Sequence, residues 1–182
     1  MEIKIRDIRP EDILQTTRLY HDTWLDTYPN EKLGITREAV DKSFEGVYTE
    51  DTQKKRTDRV RNLPANEKYI VAESGDKIVG TCRIVRHNDY GQLKTIYVLP
   101  DFQGRGVGKA LWEAGKKKQN TIVHVATYNS KAISFYKKIG FIETGKIFNE
   151  ERHRMSNGIL IPETELVRPG ELTLSYSKRR QA

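Results

Sequence analysis

Between Tyr97 and Leu111 the sequence reads Tyr-Val-Leu-Pro-Asp-Phe-Gln-Gly-Arg-Gly-Val-Gly-Lys-Ala-Leu, and these residue types at this spacing suit one kind of chemistry. An apolar, β-branched strand is stopped by Pro100, after which Gly104, Gly106 and Gly108 alternate with Arg105, Val107 and Lys109. Glycines let backbone N–H groups converge on one point without interference from Cβ atoms. A helix beginning here adds its own unpaired N–H groups and the positive end of its dipole. The pattern predicts an anion site, for a phosphate or pyrophosphate, at a strand-to-helix turn. Other reactive residue types carry less. Cys82, the single cysteine, cannot close an internal disulfide and reads as a small core residue within a strand. His21, His87 and His153 lack metal-ligand spacing such as His-x-x-x-His, so no metal is expected.

The elements that must hold this turn follow from composition and periodicity. The 182 residues, 36% hydrophobic and 31% charged, suit one soluble globular domain with its own core rather than a disordered chain. No apolar run approaches the ~20 residues of a membrane span. The start, Met1 to Arg6, alternates like a strand and lacks the apolar centre of a signal peptide, so a cytoplasmic location is expected. The formal net charge of +7 suits a polyanionic ligand or nucleic acid alike and does not choose between them.

Ile3, Ile5 and Ile8 mark a first strand. Pro10 opens a helix to about Asp26, with Ile13, Thr17, Tyr20 and Trp24 at helical spacing. Thr36 is placed to cap a second helix, and the charged segment Asp51 to Arg61 reads as a solvated helical extension or loop. Lys54, Lys55, Arg56, Arg59 and Arg61 belong to that solvated face. Residues from Tyr69 to Leu99 form a three-strand meander, with turns at Ser74–Lys77 and Asn88–Gly91. The glycine turn and its helix lead to a strand over Thr121–Ala126, which a helical crossover must set parallel to the strand before the turn. Asn129 or Ser130 caps a further helix that Gly140 ends. Phe141–Phe148 and Ile159–Val167 make a closing hairpin, leaving a tail.

This order resembles the GCN5-related N-acetyltransferase (GNAT) family. The family's phosphate signature, Gln/Arg-x-x-Gly-x-Gly/Ala, stands here as Gln103-Gly104-Arg105-Gly106-Val107-Gly108. A second family element, Asn-x-x-Ala-x-x-Phe-Tyr followed by Gly-Phe, stands as Asn129 to Tyr136 and Gly140-Phe141. The resemblance implies an α/β fold of the mixed α+β kind: a mostly antiparallel sheet of about seven strands with a splayed parallel pair, flanked by about four helices. It would occupy residues 1–168 and leave residues 169–182 as a tail.

The resemblance also implies acetyl-CoA as cosubstrate. Its pyrophosphate would lie on Gln103, Gly104, Arg105, Gly106, Val107, Gly108 and Lys109, and Asn129 would contact it too. Its pantetheine arm would pair with the backbone near Ile96 and Val98 like an added strand, and N–H groups near Val98 would polarise the carbonyl. Tyr136 occupies the place of the family's helix tyrosine, which protonates the departing thiolate; a phenol of pKa about 10 is protonated at neutral pH. The strand before the turn lacks the glutamate that many members use as base. His124 is the leading substitute, since histidine titrates near neutrality; Glu73 and Tyr97 are the others. Trp24 and Tyr28, with Glu73, fall where an acceptor would bind. The acceptor is expected to be a small-molecule amine. A protein N-terminus or lysine is the alternative, and a non-catalytic CoA-sensing or nucleic-acid-binding module a further one. Membrane and nucleic acid are not expected partners, while a homodimer is in keeping with the family.

Overall fold

Alternation of apolar residues builds the strands, and the structure, a computed structural model, describes residues 2–116 and 118–170. Among them the order is β1 (Lys4–Asp7), α1 (Ile13–Thr27), α2 (Arg37–Lys42), α3 (Glu50–Arg61), β2 (Glu67–Ser74), β3 (Lys77–Arg86), β4 (Tyr90–Val98), α4 (Val107–Gly115), β5 (Asn120–Ala126), α5 (Ser130–Lys138), β6 (Ile142–Arg154) and β7 (Leu160–Arg168). The strands form one seven-stranded sheet in the order β1-β2-β3-β4-β5-β7-β6. The pair β4–β5 is parallel and the other neighbours are antiparallel. The expected mixed sheet is therefore present. The charged segment after Glu50 is a full helix, so five α-helices stand where about four were expected. Its start is fixed by the Thr49 side chain, which accepts from the Thr52 N–H. Of the expected tail 169–182, residues 169 and 170 follow β7 and residues 171–182 lie outside the described residues.

Helix α4 supplies the crossover between the parallel strands. Val107, Leu111, Trp112 and Gly115 form its buried stripe, one face of a 3.6-residue period. Leu111 is wholly enclosed and Trp112 packs edge-to-face on Phe141. Cutting such a leucine back to alanine costs about 2–5 kcal/mol. The opposite sheet face carries α1 and α2, with a smaller core of Ile35, Val40, Ala126, Met155 and Ile161. Thr36 caps α2 by accepting from the Ala39 N–H at 3.0 Å, as its position predicts.

A single extra residue shapes the middle of the sheet. Arg83 pairs with Thr95 but Ile84 pairs with Leu93, so Lys94 is a bulge in β4. The parallel pairing of β4 with β5 runs from Tyr90–Asn120 to Leu93–Val123 and stops there. A bulge bends its strand and ends regular pairing, so the strands part just beyond it. Past that point His124–Ala126 pair with Glu165–Glu163 of β7. A V-shaped gap opens between the ends of β4 and β5.

Candidate active site

One side of the gap is built from backbone. Leu99 N–H donates to the Val79 carbonyl at 2.9 Å. Alternation along an antiparallel pair then turns the backbone groups of Tyr97 toward β3 and those of Ile96 and Val98 toward the gap. The Val98 carbonyl accepts from the Gln103 side-chain amide at 2.8 Å, which leaves the Val98 N–H to serve the gap. Gln103 differs from its expected part, because its own N–H donates to the Pro100 carbonyl at 3.1 Å. Its side chain braces the loop against β4, and its N–H is not one of the converging donors. The Gln103 Oε1 is buried without a partner among the described residues.

Gly104 and Gly106 hold φ of 74° and 83°, left-handed conformations that favour glycine. Gly106 is the N-cap of α4 and its carbonyl takes the first helical bond, from the Ala110 N–H at 2.9 Å. The N–H groups of Val107, Gly108 and Lys109 precede that bond and have no carbonyl within the helix. A Cβ on Gly104 or Gly106 would meet nothing within 4 Å, so the space over the loop is open. One on Gly108 would lie 3.2 Å from the Phe135 ring, which is how closely α4 meets α5. Arg105 and Lys109 are exposed beside this cradle. Open space, free N–H groups and two cations fit a pyrophosphate.

Helix α5 brings the tyrosine. Asn129 caps it, its Oδ1 accepting from the Ala132 N–H at 3.0 Å. Tyr136 is buried among Phe135 and Phe141. Burial, with Tyr97 and Cys82 close by, pushes its phenol well above the usual range. It is therefore a neutral O–H donor at pH 7.

The other side of the gap is built from side chains. A small cavity of about 90 Å³ is lined by Tyr20, Trp24 and Tyr28 from the α1 side, Thr95 and Tyr97 from β4, His124 from β5, His153 from β6 and Glu163 from β7. The Tyr97 hydroxyl lies 3.1 Å from both Trp24 Nε1 and the Tyr28 hydroxyl. Burial first, and then Tyr97, push the Tyr28 phenol well up, so it too stays neutral. Glu163 is 3% exposed and its carboxylate lies 3.0 Å from His153 Nδ1. His124 Nδ1 lies 2.9 Å from Glu150, and Nε2 lies 3.6 Å from Glu165. Burial opposes the ionisation of Glu165, but its hydrogen bond to Lys146 holds the carboxyl below the usual range.

The structure thus brings Trp24, Tyr28 and His124 to one cavity and adds Glu163 and His153 to its lining, with Glu150 behind His124, all three of which sequence reasoning missed. Their pairing depends on β7 lying between β5 and β6, a register that no local spacing reveals. The same register gathers ligand atoms of His124, Glu150 and Glu163 within 4.8 Å of one another, a nitrogen–carboxylate set that divalent transition metals accept. Glu73 falls elsewhere. It joins Arg6 at 2.9 Å, while Arg6 also holds Asp12 at 2.6 Å, so Glu73 belongs to a charge network on β1 and β2 and does not line the cavity.

A splayed parallel pair with a glycine cradle at its mouth can take a long, narrow ligand that ends in a pyrophosphate. Residues 65–143 match the Acetyltransferase (GNAT) domain family. An uncharacterized N-acetyltransferase of Methanocaldococcus jannaschii is 40% identical over 88 residues, 41% of this chain and 39% of the relative. Spermidine N(1)-acetyltransferase of Vibrio cholerae is 25% identical over 47% of this chain and 55% of its own length. A peptidyl-lysine N-acetyltransferase of Salmonella typhimurium is 29% identical over 46% of this chain and 56% of its own. The matches therefore span between two fifths and just over half of these relatives. The crystal structure of PaiA N-acetyltransferase from Thermoplasma acidophilum in complex with coenzyme A shares the fold, with a TM-score of 0.69, 18% identity and coverage of 93% and 99% of the two chains. The family match thus covers residues 65–143, and the likeness to the solved structure shows a shared fold. No helix among the described residues is long and apolar enough to cross a membrane.

Proposed function

We propose that the protein moves the acetyl group of acetyl-CoA to the primary amine of a small molecule by direct attack. The observation that carries this reading is the aromatic-walled cavity that ends on buried Glu163 at the point where β4 and β5 part. A buried carboxylate in a narrow aromatic cavity suits one ammonium group better than an extended polypeptide. The relatives' names include both a spermidine and a peptidyl-lysine acetyltransferase, so the size of the acceptor rests on the cavity.

The chemistry follows from the neighbours of the gap. Pyrophosphate sits on the cradle of Gly104 to Lys109, and the pantetheine amides pair with Ile96 and Val98. Glu163 and the Tyr97 hydroxyl orient the ammonium. His124 takes its proton, directly or through one water; with Nδ1–H donated to Glu150, its Nε2 carries the lone pair a base needs. The free amine then forms the C–N bond to the thioester carbonyl carbon, whose oxygen accepts from the Val98 N–H. As the tetrahedral intermediate collapses, the C–S bond breaks, the CoA sulfur takes the Tyr136 proton, and the extra proton on the new amide nitrogen passes to the Tyr136 phenolate. The proton held by His124 returns to solvent, and both side chains are back in their starting state.

Release of the CoA thiol, followed with a thiol reagent over diamines, amino acids, amino sugars and short peptides, tests the reading. Small amines should be turned over and peptides not. Turnover confined to peptides overturns the small-molecule assignment. Failure to bind acetyl-CoA in calorimetry overturns the transferase assignment itself.

A further inference from the structure

A second cavity, of about 390 Å³, lies between α1, α3 and the sheet face formed by β2, β3 and β4. Ile13, Phe44 and Val60 give it an apolar floor, and Arg56, Arg59 and Arg83 stand on its wall. From sequence, Arg56 and Arg59 belong to a solvated face; the structure turns both toward this space. The charges around it do not balance. Glu67 is shared by two guanidiniums, at 2.6 Å from Arg59 and 3.0 Å from Arg83. Arg56 donates to the Thr17 hydroxyl at 3.0 Å and has no carboxylate partner among the described residues. Three cations against one anion leave an excess of positive charge over an apolar floor.

This cavity adjoins the acceptor cavity. Tyr20, Trp24 and Thr95 line both, and the Tyr20 hydroxyl donates to Thr95 at 2.9 Å where they meet. The two ends have opposite polarity: carboxylates and imidazoles beside the gap, guanidiniums under α3. We infer that the acceptor is an amine that also bears an anionic group, a carboxylate or a phosphate, and that the second cavity receives that group on Arg56. This rests on the acetyl-transfer reading above and narrows it. A guanidinium presents parallel N–H donors that match either oxyanion. Polyamines, which carry no such group, are the poorer fit.

The test compares ω-amino carboxylates and ω-amino phosphonates with α,ω-diamines of equal length, at saturating acetyl-CoA. The anionic series should be preferred in kcat/KM by at least about tenfold, the size of a hydrogen bond to a charged group. Arg56→Gln should raise KM for the anionic acceptors by about tenfold while leaving KM for diamines and the Kd of CoA unchanged. Arg56→Lys, which keeps the charge and loses the fork, should fall between. Preference for diamines, or an equal effect of Arg56→Gln on both series, overturns the inference and leaves acetyl transfer standing. The ω-acetamido carboxylates, which need no turnover, give a second readout by calorimetry. If no amine is acetylated yet these probes bind and Arg56→Gln weakens them, the anion site stands and the transfer reading falls. If they do not bind and no amine is turned over, both fall.

Discussion

The two sides of the gap are made in different ways. The proposed CoA side comes from one contiguous run, Ile96 to Lys109, and would work mainly through backbone N–H and carbonyl groups, with the Arg105 and Lys109 cations beside them; glycine matters there because of conformation. The proposed acceptor side draws side chains from α1, β4, β5, β6 and β7, so it depends on residue identity. A backbone-built surface recognises what all CoA thioesters share. A side-chain-built surface recognises one acceptor, and can be rewritten while the first stays fixed.

Substitutions that damage one side and spare the other probe this division. Gly106→Glu should cause the largest loss. It forces a non-glycine residue to φ near 83° and sets a carboxylate over the cradle. Strain of about 1 kcal/mol with lost charged hydrogen bonds of about 2 kcal/mol weakens acetyl-CoA about 100-fold, measurable by calorimetry; unchanged binding would remove the cradle assignment. Tyr136→Phe should lower kcat about 100-fold with little change in CoA Kd. An equal kcat would take away its acid role. Glu163→Gln should act on the acceptor alone, raising its KM about tenfold; a parallel change in CoA affinity would show the two sides to be coupled.

Arg6→Met should have the smallest effect on either ligand, because its charges are structural. Burial opposes the ionisation of Asp12, but hydrogen bonds to Arg6 and to the Arg9 N–H hold it below the ordinary carboxylate range. A depressed carboxyl contributes stability that is present above its unfolded value of about 4 and is lost as pH falls through the folded value. Removing Arg6 strands a nearly enclosed carboxylate, costing about 3 kcal/mol at pH 7. Urea denaturation should show that loss at pH 7 and a much smaller one at pH 3. Equal losses at the two pH values would mean that Arg6 acts by packing alone.

The same division sets what the sequence discloses. Strands, the crossover, the glycine cradle and the caps Thr36 and Asn129 are local, decided by residues within a few positions of one another, and they stand where the sequence places them. So do Trp24, Tyr28 and His124, because a helix or strand period fixes their faces. Glu163, Glu150 and His153 become neighbours of the cavity only through the register of three strands. Glu73 was misplaced for the converse reason: its strand was right, but Arg6, nearly seventy residues earlier, takes its carboxylate. Gln103 shows a finer limit, since the motif names the residue without saying whether its backbone or its side chain is used.

The bulge at Lys94 is also a shift of phase. Gln92 before it and Thr95 and Tyr97 after it line the same cavity, although strict alternation would put even and odd positions on opposite faces. Leu93 is buried and also touches the cavity, while Val98 lies toward Gly108 of α4 on the other face. Deleting Lys94 would therefore do more than shorten a strand. It would return β4 to a single parity, so that keeping Thr95 and Tyr97 in the cavity would turn the Gln92 side chain to the other face. No substitution at position 94 has that consequence. In this strand it is the count of residues, more than their identity, that a lineage must preserve to keep the gap open.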